Sequence, residues 1–93
     1  MISSRRTAPV YEILLERSAE RDLKKLPKNM FDRVVLSIKS LAGNTRPHGA
    51  RKITGSSNDW RIRVGEYRII YEIDDEVRVV KIMRVRHRRE AYR

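Results

Sequence analysis

The stretch WRIRVGEYRI, residues 60–69, decides the fold. Trp60, Ile62 and Val64 alternate with Arg61 and Arg63, the period of a strand buried on one face. Gly65-Glu66 makes a two-residue turn with glycine first, the preference of a type II′ hairpin. The returning strand continues the apolar face through Tyr67, Ile69, Tyr71 and Ile73. That turn sets Val64 opposite Tyr67, Arg63 opposite Arg68 and Arg61 opposite Ile70. A slip of one residue would bury all three arginines, so the register is strongly specified. It nevertheless leaves two like charges, Arg63 and Arg68, face to face, which is unfavourable unless something negative lies between them.

Downstream, Asp74-Asp75-Glu76 turns the chain again and VRVVKIMRV (residues 77–85) is the last strand. With Asp75-Glu76 as the loop, Ile70 faces Lys81 and Arg68 faces Met83. The chain then leaves the sheet as a basic tail, RVRHRREAYR, residues 84–93. Upstream, VYEILL (residues 10–15) is rich in β-branched and aromatic residues and reads as a strand. Ser18 is placed to cap a helix starting at Ala19, whose apolar face is Ala19, Leu23 and Leu26. Pro27 ends that helix and suits the first turn of the next. Phe31, Val34, Ile38, Leu41 and Ala42 give the second helix its apolar stripe, and Gly43-Asn44 stops it. NTRPHGA (residues 44–50) is a loop, and ARKIT (residues 50–54) a short strand.

The expected class is α+β: an N-terminal strand, then a two-helix antiparallel hairpin packed on one face of a mainly antiparallel four- to five-stranded sheet. Residues 1–9 read as a flexible basic arm and residues 10–93 as a single domain.

Lysine and arginine number 22 against 12 acidic residues, a net charge of +10, more than solubility needs and suited to a polyanion such as nucleic acid. The chain has no cysteine and only two histidines, His48 and His87, so no metal site and no cofactor is expected. There is no apolar run long enough to span a membrane. The first nine residues lack the apolar core of a secretory signal, and a cytoplasmic location is expected.

On the open face of the sheet stand Arg61, Arg63, Arg68 and Lys81. The tail brings Arg86, Arg88 and Arg89 to the same end. Guanidinium forks match phosphate oxygens, and a phosphate among them would relieve their repulsion. The site therefore reads as one for a phosphodiester, with Arg63 and Arg68 as its floor. Trp60 and Tyr71 face the core and are not base-stacking residues. His87 is either a solvated tail residue or a proton-transfer group. Glu90 either balances charge or is a carboxylate acid/base, for which no second carboxylate stands at a suitable spacing, and His48 sits in a surface loop. Tyr92, an aromatic among arginines, either stacks on a splayed RNA base or folds back on the sheet edge.

Three segments in order, YEILLERSAERDLKKLP, WRIRVGEYRIIYEIDDEV and RHRREAY, resemble RelE-type toxins of the RelE/ParE superfamily across about residues 10–93. The resemblance implies a RelE-like fold and a toxin of a type II toxin–antitoxin system. It implies a ribosome-dependent mRNA endoribonuclease that cuts in the A site by metal-independent attack of the 2′-hydroxyl, and so stops translation. Its partners would be a RelB-like antitoxin, the ribosome and mRNA. Carried across, Arg68 takes the place of the arginine that contacts the scissile phosphate. Arg88 takes that of the tail arginine linked to transition-state charge, and Tyr92 that of the tail tyrosine that holds the nucleotide. Arg61 and Arg63 replace two lysines, one a proposed base; a guanidinium keeps its proton and makes a poor base. Two alternatives stand beside this: a ParE-like toxin that inhibits DNA gyrase by binding, and a non-catalytic RNA-binding module.

Overall fold

The computed structural model describes residues 10–91. Five strands form one sheet: β1 (Glu12–Leu15), β2 (Arg51–Lys52), β3 (Asp59–Val64), β4 (Tyr67–Asp74) and β5 (Val79–His87). Their order is β1-β5-β4-β3-β2, with β1 parallel to β5 and every other pairing antiparallel. Helices α1 (Arg17–Lys24) and α2 (Lys28–Ser40) form the hairpin, and a short α3 (Arg88–Ala91) follows β5. This is the α+β architecture the sequence predicts.

The core is the meeting of the two periodicities. Ala19 and Leu23 of α1, Val34 and Ile38 of α2, and Leu41 just beyond meet the inward positions of the sheet, among them Ile62, Ile69, Tyr71, Ile73, Val80 and Ile82. Full burial of a leucine or isoleucine side chain contributes about 1.5–3 kcal/mol, so this layer is what holds the helices down. Phe31, expected in the stripe, lies at its margin and is exposed. Tyr71 is fully buried and its hydroxyl donates to the Thr45 carbonyl at 2.8 Å, tying the loop after α2 to the central strand.

Four details differ from the sequence reading. Helix α1 begins at Arg17, with Glu16 at its N-cap, and the Ser18 hydroxyl donates instead to the Met83 carbonyl. The turn between β4 and β5 is longer than two residues: Asp74 pairs with Val79, so residues 75–78 form the loop. Arg78 takes a left-handed conformation there (φ 58°), while Asp74 Oδ1 accepts the Glu76 and Val77 N–H groups. Lys81 therefore faces Glu72, not Ile70. Finally, a bulge between Ile70 and Tyr71 leaves Met83 as an extra residue on β5, so Ile70 faces Arg84 and Arg68 faces Arg86, not Met83. The expected tail is part of the sheet as far as His87 and then helical. The arm of residues 1–9, Tyr92 and Arg93 lie outside the described residues.

Candidate nucleic-acid site

The hairpin pairs Arg63 with Arg68 and Arg61 with Ile70, as the Gly65-Glu66 turn requires. Gly65 has φ +59° and Glu66 does not share that sign, the pattern of a II′ turn. The register builds two cross-strand rows. One is Arg51–Arg61–Ile70–Arg84 and the other Arg63–Arg68–Arg86. The Met83 bulge brings Arg84 and Arg86 into register with these rows, but the Arg84 side chain turns to Asp22 of α1, and both arginines line a separate pocket with Leu26, Tyr67 and Glu90.

Arg51, Arg61, Arg63 and Arg68 line one cleft of about 320 Å³, with Gly49 and Ile62 completing its wall. Among the described residues no acidic side chain lines it, so it suits an anion and repels a cation. Among the described residues, Arg51, Arg61 and Arg63 make no ion pair. Arg63 is exposed, but Arg68 is only 6% exposed, against the expectation that both face solvent. The cause is position: Arg68 is on the middle strand, flanked by Arg63 and Arg86, so its stem is covered from both sides.

Lys81, Arg86 and Arg88 have acidic neighbours. Lys81 lies 3.8 Å from Glu16 and 3.9 Å from Glu72, outside both rows. Arg86 Nε is 3.7 Å from Glu90 Oε1. Arg88 donates its backbone N–H to the Glu66 carbonyl at 2.7 Å, and its Nη1 lies 3.4 Å from the Glu66 carboxylate, which docks α3 on the hairpin turn. Both partners of that ion pair are more than half exposed, so it is weak and easily exchanged for a phosphate. Arg89 is exposed. His87 pairs with Tyr67, with the rings edge-on at 5.3 Å. Its Nδ1 accepts the Arg89 N–H at 3.2 Å. The structure thus brings Arg61, Arg63 and Arg68 together in one cleft, and places Arg86 and His87 together in another pocket outside it.

Three residues were not singled out from the sequence. Arg51 faces Arg61 from β2; its signal was the short ARKIT strand running back along DWRIRV. Asp22 of α1 accepts Arg84 Nε at 2.8 Å, Arg84 Nη2 at 3.3 Å and the Val85 N–H at 2.9 Å. Burial pushes the Asp22 carboxyl up, but those hydrogen bonds and the charges of Arg84 and Arg86 outweigh it and hold it below its ordinary range. Arg46 clamps the loop: it bonds Asp75 at 2.9 Å, stacks 5.2 Å over Trp60, and shares Asp75 with the Tyr11 hydroxyl at 2.6 Å. Bonds from Arg46 and Tyr11 hold Asp75 below the usual carboxylate range, and the bond to Asp75 pushes Tyr11 up. Burial pushes Tyr71 up to about 12, so it stays a neutral donor to Thr45.

Among the described residues, no group of three or more His, Cys, Asp or Glu side chains is placed to hold a metal ion. Nor is any helix among them long and apolar enough to cross a membrane.

Residues 13–92 match the family model of the ParE toxin of type II toxin–antitoxin systems, parDE. The chain is 34% identical over 84 residues to toxin RelG of Mycobacterium tuberculosis, covering 89% of this chain and 97% of that protein. Its structure is similar to the toxin–antitoxin complex RelBE2 of the same organism, with 30% identity, TM-score 0.77, and coverage of 87% of this chain and 94% of that one. It is similar also to the archaeal RelE–RelB complex of Pyrococcus horikoshii, with 25% identity, TM-score 0.77, and coverage of 85% and 96%.

Proposed function

The chain belongs to the ParE toxin family of type II toxin–antitoxin systems, among its RelE-named relatives, and we propose that it is a ribosome-dependent mRNA endoribonuclease. The observation that carries this reading is the acid-free cleft whose wall holds Arg51, Arg61, Arg63 and Arg68. Cleavage proceeds by attack of an RNA 2′-hydroxyl on the adjacent phosphorus. The charge that builds on the pentacoordinate phosphorus meets fixed guanidinium donors in a site already desolvated at Arg68. Because Arg68 is held by its neighbours on both sides, its donors need little reorganisation when that charge appears.

Arg88 reaches the phosphate by exchanging its exposed contact with Glu66, and adds charge stabilisation at the leaving oxygen. Arg86, Arg89 and Lys81 supply longer-range attraction to the RNA backbone. A guanidinium keeps its proton, so neither Arg61 nor Arg63 accepts the 2′-hydroxyl proton. His87 lies outside the cleft with its Nδ1 already accepting the Arg89 N–H, so Tyr92 and groups of the RNA are the available acceptors. The relatives solved as toxin–antitoxin complexes support a RelB-like antitoxin as partner. The targets in this reading are the ribosome and mRNA.

The ParE description of the family model favours one second reading, inhibition of DNA gyrase by binding. The two separate cleanly on expression in a bacterial host. The nuclease reading expects translation arrest and new mRNA ends within ribosome-bound messages. DNA damage with intact messages would establish the second reading instead.

A further inference from the structure

The Arg51–Arg61 pair is a second like-charge opposition, one row along from Arg63–Arg68, and it has no role in the chemistry described so far. Arg51, Arg61, Arg63 and Arg68 line the same cleft, and Arg51 and Arg61 make no ion pair among the described residues. Same-face positions on a strand are two residues apart, so the rows are separated by about 7 Å, close to the phosphorus-to-phosphorus reach of one unstacked nucleotide. A cleft of about 320 Å³ suits a single strand with splayed bases better than a stacked A-form duplex. We infer that the cleft binds two consecutive phosphates of a single RNA strand, the reacting one at Arg63–Arg68 and its neighbour at Arg51–Arg61, with Arg51 the residue that holds the second.

This inference rests on reading the cleft as an RNA site, and the test keeps the two apart. Arg51 also lies on a two-residue edge strand, where a charge can serve only to block edge-to-edge pairing. Lys52 is the internal control. It is exposed, adjacent and equally charged, but it pairs with Trp60 on the opposite face.

The probes are 2′-O-methyl RNA oligonucleotides, which cannot be cut: a dinucleotide with one phosphate and a trinucleotide with two. Binding to the full chain is measured by titration from low to physiological salt. For the wild type, the trinucleotide should bind more tightly, and its log K against log salt should be steeper by ~0.7, the increment for one more phosphate on a single strand. Arg51→Ala should remove that increment, Arg51→Lys should restore most of it, and Lys52→Ala should leave it in place. If the dinucleotide binds in an Arg68-dependent way but the second phosphate adds nothing, or Arg51→Ala and Lys52→Ala behave alike, the two-phosphate inference is wrong while the RNA site stands. If neither probe binds, both are wrong.

Discussion

Arg86 stands directly opposite Arg68 because Met83 is extra: without the bulge it makes in β5, the Asp74–Val79 pairing would set Arg68 opposite Val85, and with it the register reads Arg63–Arg68–Arg86. The row is completed at the junction where the helix-supported part of the sheet gives way to the basic end. The same neighbourhood is pinned from α1, by the Ser18 hydroxyl on the Met83 carbonyl and by Asp22 on Arg84 and the Val85 N–H. The charge cluster is therefore built by packing and is not a solvated fringe.

Stability and activity should move in opposite directions at Arg63. Replacing it by glutamate turns a repulsive cross-strand pair with Arg68 into an attractive one. Arg63→Glu should raise the unfolding free energy by roughly 0.2–1 kcal/mol, the range for an opposite-charge cross-strand pair. It should also abolish RNA binding in the cleft. Urea unfolding beside an RNA titration checks both signs, and a variant that is less stable or still binds would speak against the opposed pair.

Asp22 carries a pH-dependent part of the stability. Its carboxyl titrates below the ordinary range in the folded protein, because of hydrogen bonds from Arg84 and Val85. A depressed folded pKa stabilises the protein above the unfolded value, and that contribution is lost as pH falls through the folded value. Stability should therefore decline in acid, below the ordinary aspartate range, and Asp22→Asn should flatten that decline. Asp22→Ala should cost about 1.5–3 kcal/mol at neutral pH, the scale for hydrogen bonds to a charged group. Urea melts between neutral and strongly acid pH are the measurement.

Gly65 should resist substitution. Its φ of +59° is left-handed, and a Cβ there would sit 3.1 Å from the Met30 Cε of α2. The methionine end can move, so the backbone is the main obstacle. Gly65→Val should cost about 1–3 kcal/mol. A thermal melt matching the wild type would remove the II′ turn as the element that sets the Arg63–Arg68 register.

How far the sequence could be read follows from these elements. The β3–β4 pairing was legible residue by residue, because a two-residue turn with glycine first leaves one register. The β4–β5 pairing was not. Its four-residue loop depends on Asp74 capping two backbone N–H groups and on Arg78 in a left-handed conformation, a conformation that glycine usually marks and arginine does not. The bulge at Met83 leaves no trace in the hydrophobic pattern, since Arg84 and Arg86 look equally at home in a tail. The burial of Arg68 required knowing that β4 is the middle strand. Arg51 was missed because a two-residue strand carries almost no periodicity.

Two residues of the C-terminal segment separate by substitution. His87 is held by Tyr67 and by the Arg89 N–H, away from the arginine cleft. His87→Gln should therefore leave the single-turnover cleavage rate near wild type. Tyr92→Phe should keep most activity and Tyr92→Ala lose it, as for a ring that stacks on a base. A folded His87→Gln protein that no longer cleaves, beside a fully active Tyr92→Ala, would reverse these roles.

The central claim is that Arg68 stabilises charge on the phosphate as it reacts. The direct measurement is single-turnover cleavage of mRNA on programmed ribosomes. Because Arg68 is buried, Arg68→Lys is the informative variant: it keeps a charge and most of the side-chain stem but loses the planar fork. The account predicts a fall in rate of roughly 10²–10³, the scale for one lost transition-state donor, with ribosome binding and thermal unfolding near wild type. A folded Arg68→Lys protein that cleaves at the wild-type rate would contradict it.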